Sequence, residues 1–234
     1  MALYVDSAFL DDIMKVAQTV PLAGVTTNPT ILLAARERGQ IMDIDSLVKG
    51  LVSSLNTPGG LIFMQPGSMD EKEMSQQAMI HWHAIEQALT PGHVFVEHAI
   101  HKIPMTHTGM RVAKRLKHQN HRVAFTAVTS VAQAYTAAMV GADFVIPYYN
   151  RLERAGVDAN ERITEMAELF HNQHIPTRIL AASVKSPTEA VSALLAGAHD
   201  ITAGPQVLLD MVSDPQTDEA IEKFARDWQK MNTS

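Results

Sequence analysis

The chain contains no cysteine, which removes disulfides and thiolate metal sites from consideration. It has no basic excess. Lys and Arg number 19 against 25 Asp and Glu, for a formal net charge of −6. Nucleic-acid binding needs a basic patch, so no nucleic-acid partner is expected. No apolar run approaches the roughly 18 residues that a membrane helix needs, and no membrane association is expected. The opening MALYVDSAFLDDI has no basic start and reaches Asp6 too early for a secretory leader. A cytoplasmic location is the expectation. No GxGxxG follows the first apolar run, which weakens a dinucleotide-binding reading. Eleven histidines are present, but none has HExxH spacing or a fixed third ligand. Neither a metal nor another cofactor is expected. His98, on the inward face of its strand, reads as a satisfied core histidine. The 13 methionines read as core filler.

What is present is an alternation. The chain has 234 residues, 46% of them hydrophobic, ample for a sizeable core. Apolar, β-branched runs read as strands at 2–6, 22–27, 60–65, 94–103, 122–128, 143–148, 177–183 and 199–204. Amphipathic stretches lie between them: 8–18, 108–119, 130–142 and 186–198, the last two running into a glycine. Each strand but the last is clearly followed by a helix. Strands alternating with helices imply a parallel sheet. Eight such units in this length predict a single-domain (β/α)8 TIM barrel over 1–234. A doubly wound open sheet is the runner-up. The tail DEAIEKFARDWQKMNTS (218–234) reads as a C-terminal helix at about 216–231, with Ile221, Phe224 and Trp228 roughly on one face. That face can pack on its own barrel or on a neighbouring subunit.

Chemistry in such a barrel sits at the C-terminal strand ends. The polar residues there are Asp6, Thr26, Thr27, Asn28, Gln65, Lys102, Thr106, Thr126, Tyr148, Asn150, Arg151, Ser183 and Lys185. Any one of them can simply cap a helix; Asp6-Ser7 could cap the first. Lys102 is different, because it lies inside the run HVFVEHAIHKIPMT. Alternate strand residues share a face, which groups Lys102 with His98 and Ile100. Burial favours the neutral amine, and a neutral amine attacks carbonyls to form a Schiff base. The alternative is a structural lysine paired with Asp6 or another carboxylate.

The stretches LYVDSA, LAGVTTNPTI, KIPMTHTGM, TAVTSVAQA, GADFVIPYYNRL, ILAASVKSP and FARDWQ occur in this order at successive strand ends. Together they resemble the transaldolase family, and more closely its fructose-6-phosphate aldolase branch, over nearly the whole chain. By that resemblance Lys102 is the Schiff-base lysine, and Asp6 lines the site. Thr26 and Asn28 are substrate-binding residues of the second strand, with Asn28 hydrogen-bonding substrate hydroxyls. Gln65, Thr126 and Tyr148 hold a catalytic water. Arg151 and Ser183 hold the substrate phosphate, with Lys185 adding charge. The resemblance also implies a sugar phosphate substrate and a homo-oligomer, commonly a decamer.

Two positions choose the branch. Transaldolases of this family carry glutamate and phenylalanine where this chain has Gln65 and Tyr148. A phenol can move a proton or position water and a phenyl ring cannot, so an aldolase is expected. A transaldolase and a non-catalytic sugar-phosphate-binding barrel are the alternatives. The sequence also departs from the pattern. Ile146 replaces a small alanine and could narrow the donor side. His101 replaces an apolar residue and should point away from the barrel axis. Thr129-Ser130 replaces a tyrosine-glycine pair, and the segment between Gln65 and Lys102 looks longer.

Overall fold

The computed structural model describes residues 1–40, 43–55, 60–88 and 98–232. Eight parallel strands close into a barrel in sequential order. They are β1 (Leu3–Asp6), β2 (Gly24–Thr26), β3 (Leu61–Met64), β4 (Ala99–Pro104), β5 (Val123–Val128), β6 (Phe144–Pro147), β7 (Arg178–Val184) and β8 (Asp200–Ala203). The closed barrel replaces the open-sheet alternative. Each predicted strand run overlaps one of these strands, with β4 and β7 each extending one residue past the predicted end. The part of the fourth run before residue 98 falls outside the described residues.

Helices fill the intervals: α1 (Leu10–Ala17), α2 (Pro29–Glu37), α3 (Ile44–Leu55), α4 (Glu71–Ala88), α5 (His107–His118), α6 (Val131–Met139), α7 (Tyr149–Arg154), α8 (Ala159–Asn172) and α9 (Pro187–Leu195). After β8 come α10 (Pro205–Asp210) and α11 (Pro215–Asn232). The eighth strand is therefore also followed by a helix. PQVLLD is too short to display a helical period, which is why the sequence did not reveal it.

Period-two alternation sorts the side chains into two cores. The inner one fills the barrel with Tyr4, Phe63, Ile100, Ala124, Phe144, Ile146, Leu180 and Ala182. Tyr4, Phe63 and Phe144 stack edge to face there, at 5.3 and 5.1 Å between centroids. The outer core takes the alternate residues, such as Val5, Val25, Ile62, Ile103, Phe125 and Ile201, and buries them under the helices. Because both faces are covered, the strands read as continuous apolar runs.

Several helices start on side-chain caps. Asn28, Thr106, Ser130, Asp158 and Ser186 each accept a bond from the backbone N–H three residues on, satisfying a donor that the helix leaves orphaned. Gly141, just past α6, sits at φ 83°, a stop that a side chain would resist. Gly109 has a different reason to be glycine. A Cβ there would lie 2.0 Å from the Pro104 carbonyl oxygen, so its absence lets α5 seat directly on the end of the lysine-bearing strand.

α11 does not pack on the barrel. None of its residues is buried. Ile221, Phe224, Trp228 and Met231 are 58%, 62%, 65% and 71% exposed.

Candidate active site

Lys102 is the fourth residue of β4 and points into the barrel on the face of Ile100. It is 2% exposed. Its Nζ donates to the Thr27 carbonyl at 2.9 Å. The alternative, a structural pairing with Asp6, is not made: the Asp6 carboxylate instead accepts from Thr26 Oγ1 at 2.6 Å. Burial pushes the lysine below the usual amine range, and the nearby Asp6 charge pulls only partly in the other direction. A desolvated amine without a carboxylate partner is held toward its nucleophilic form.

The amine opens on a cavity of about 190 Å³ lined by Asp6, Asn28, Thr30, Ile31, Lys102, Tyr148, Arg151, Ala182, Ser183 and Lys185. Residues from β1, β4, β7 and the turns after β2 and β6 thus meet at the mouth. Larger grooves exist, such as one of about 610 Å³ lined by Leu22, Leu194 and Met211. That groove is apolar and gathers no reactive groups.

Three expected site residues are not among those lining the cavity. Thr26 is fully buried and reaches the cavity through Asp6. Thr126 is buried too and shares a hydrogen bond of 2.7 Å with the Tyr148 hydroxyl. Gln65 Oε1 is buried without a protein partner. Buried polar atoms are normally paired, so this oxygen offers an accepting position to a water or a substrate hydroxyl.

Tyr148 is raised above the usual phenol range mainly by burial, partly offset by its bond to Thr126 and by Arg151. The Arg151 guanidinium stands 4.6 Å from the centre of its ring. Arg151 belongs to α7, the short helix that begins just after Tyr148, so one turn supplies both the phenol and a cation. Ser183 lies at φ 60°, where β7 breaks register with β8. A left-handed serine costs on the order of 1 kcal/mol. The bulge that imposes this conformation sits at the cavity wall.

Asn28 caps α2 with its carbonyl oxygen, which accepts from Ile31 N at 3.1 Å. Its amide nitrogen remains the donor for anything in the cavity. Asp6 does not cap α1. That helix has Phe9 at its N-cap with no side-chain bond, while Ser7 accepts from Phe9 N. Ile146 is wholly buried in the inner core one strand layer below Tyr148, and it is not part of the cavity wall.

Sequence reasoning missed Thr30, Ile31 and Ala182 as wall residues, and Thr202 behind the wall. Thr202, on β8, shares a 2.6 Å hydrogen bond with Thr26. Its inward parity with Asp200 was readable from HDITAG, but a threonine in a strand is too ordinary to stand out.

Behind the lysine, on the outer face of β4, lies a histidine cluster. His101 points outward, as its parity requires, and its ring meets His121 at 5.1 Å. Trp82 meets His121 at 4.9 Å. His101 is held down at about 3 by burial and by the neighbouring histidines, and His81 at about 4 by burial. His98 is buried, with Nδ1 3.3 Å from the Gly60 carbonyl. Among the described residues no three His, Asp or Glu side chains are arranged to hold a metal, and no helix is long and apolar enough to cross a membrane.

A closed parallel barrel with a desolvated lysine near the C-terminal end of its fourth strand has an amine able to attack a carbonyl. Comparison with known proteins makes it particular. The sequence profile described as Transaldolase/Fructose-6-phosphate aldolase matches residues 3–234. A Streptococcus pneumoniae protein named "Probable fructose-6-phosphate aldolase" is 35% identical over 230 residues, covering 97% of this chain and 96% of that protein. The chain belongs to the transaldolase/fructose-6-phosphate aldolase family. In architecture it is similar to a mutant flavocytochrome b2 with pyruvate bound, at a TM-score of 0.56 and 11% identity. That likeness covers 89% of this chain and 57% of the other, and it shows the fold alone.

Proposed function

We propose that the protein is a class I aldolase that cleaves or forms the C3–C4 bond of a ketose phosphate, with fructose 6-phosphate as the reference substrate. The observation that carries this reading is Lys102, buried and unpaired with acid, opening on a cavity that also holds Arg151 and Lys185. Its Nζ attacks the C2 carbonyl, and loss of water leaves a protonated imine. A water held by Gln65, Thr126 and Tyr148 takes the C4 hydroxyl proton. The C3–C4 bond breaks, its electron pair flows into the imine, and glyceraldehyde 3-phosphate leaves. Protonation of the enamine through the same Tyr148 system, followed by hydrolysis, releases dihydroxyacetone.

Arg151 and Ser183 hold the phosphate, where a planar guanidinium can bind two oxygens at once. Binding this remote group fixes the reacting carbon against Lys102. Asp6, Thr26 and Asn28 face the substrate hydroxyls, with Thr26 acting through Asp6. No metal is required by this scheme, since the imine is the electron sink.

Tyr148 favours hydrolytic release over transfer to a second sugar. The test is turnover of fructose 6-phosphate with and without erythrose 4-phosphate. Accumulation of free dihydroxyacetone without acceptor supports the aldolase. Strict dependence on the acceptor would make it a transaldolase.

The exposed stripe of α11 supports homo-oligomer assembly, with a decamer implied by the family. Trp228→Asp should lower the mass seen by light scattering while leaving the barrel folded. An unchanged mass would remove α11 from the interface.

A further inference from the structure

In an eight-stranded barrel the inward side chains of alternate strands share a layer. β2 and β8 flank β1, so Thr26 and Thr202 meet in front of it. The register pairs Tyr4 with Thr202 and Asp6 with Thr26. Both threonines are 0% exposed. Thr26 Oγ1 donates to Asp6 Oδ1 at 2.6 Å and lies 2.6 Å from Thr202 Oγ1. A hydroxyl has one proton. Thr26 has given its proton to Asp6, so in the second bond Thr202 is the donor. The result is a directed chain, Thr202 to Thr26 to Asp6, ending on a carboxylate at the cavity wall.

We propose that Thr202 is a positioning residue for the lysine chemistry: through the Thr26 hydroxyl it holds the Asp6 carboxylate on β2 and off Lys102. Linked hydrogen bonds polarise one another, so Thr202 makes Thr26 a stronger donor. A carboxylate that shares its charge with Thr26 pulls less on the amine. Lys102 then keeps the Thr27 carbonyl as its partner. The other ionisable groups around this point are Tyr148, Arg151 and Lys185. They come from other strand ends, and the substitution leaves them in place. The role in catalysis rests on the aldolase reading above; the effect on Lys102 does not.

The test reads Lys102 without substrate. Competitive acetylation with acetic anhydride across a pH series, followed by peptide mass analysis, gives the midpoint at which its amine becomes reactive. Thr202→Val keeps the shape and removes the donor. The midpoint should rise by about half to one pH unit, the equivalent of losing one hydrogen bond. Thr202→Ser should keep the wild-type midpoint. Thr202→Ala carries the same prediction as valine should that variant not fold. A wild-type midpoint in both donor-less variants overturns the proposal, whatever happens to their melting temperatures. Borohydride trapping with wild-type protein is scored separately: no adduct there defeats the aldolase reading and leaves the midpoint comparison to stand or fall alone.

Discussion

The two ends of the barrel treat charge in opposite ways. At the N-terminal end, Arg178 donates twice to Asp200, at 2.8 and 2.7 Å, and Asp200 is wholly buried. Tyr4, close by, is pushed up to about 12, mainly by burial. Charge there is paired and the aromatic stack above it is closed. At the C-terminal end a buried lysine has a carbonyl for a partner, a buried glutamine oxygen has none in the protein, and a serine is held left-handed. The same fold supplies both ends. The first is organised for stability and the second withholds partners that stability would favour.

Exchanging the roles of the two ends is the strongest way to break this contrast. Lys102→Met should abolish imine formation and reduce turnover by on the order of 10⁴ or more, since the nucleophile itself is lost. Its denaturation midpoint should hold or rise, because an apolar chain replaces a desolvated amine. Asp200→Asn should do the reverse. Arg178 is 41% exposed and keeps access to water, so losing its bonds to the buried Asp200 should cost on the order of 1–2 kcal/mol of stability, while borohydride trapping at Lys102 should persist in the folded fraction. Urea melts and trapping on both variants check the pair of claims.

Tyr148→Phe sharpens the picture of the reactive end. It removes the proton carrier and leaves Lys102 in place. Turnover should fall by roughly 10² to 10³, while the imine still forms. Loss of trapping in this variant would place Tyr148 in imine formation instead of bond cleavage. A smaller effect is expected at Arg151. Arg151→Gln should raise KM for the phosphorylated substrate by roughly 10- to 100-fold, the worth of a charge-assisted hydrogen bond. Turnover of unphosphorylated dihydroxyacetone donors should change little, as steady-state kinetics on both substrates will show.

How far the sequence carried this picture differs between the two ends as well. Each strand was visible as an apolar run, because parallel strands are buried on both faces. Lys102 stood out for the same reason: a charge inside such a run contradicts its surroundings. Boundaries were less legible. β2 spans only Gly24–Thr26, although Ala23 and Thr27 still make backbone bonds to the strands beside it. The partners of Lys102 were not legible at all. Asp6 looked equally able to cap α1, to pair with the lysine or to line the site. Only the convergence of β1, β2 and β8 shows that it accepts from Thr26. Likewise the tail helix was readable as amphipathic, but the exposure of its apolar stripe is a tertiary fact.

The outer face of β4 responds to pH alone. His101 and His81 are neutral in the fold down to about 3 and 4, and in the unfolded chain they take up protons near 6.5. Below that value the unfolded state binds more protons. Stability should therefore be full above about pH 6.5 and decline as pH falls toward 4, by up to about 1.4 kcal/mol per pH unit for each histidine. His101→Leu should flatten that decline in urea melts taken between pH 7 and 5. An equally steep decline would mean that the cluster does not govern acid sensitivity.

The most direct measurement of the central claim is borohydride reduction of the protein in the presence of fructose 6-phosphate or dihydroxyacetone, with the modified peptide located by mass. The account predicts a dihydroxyacetone-sized adduct on Lys102 and none in Lys102→Met. A folded wild-type protein that yields no adduct with either ligand, or one modified at another lysine, would contradict it.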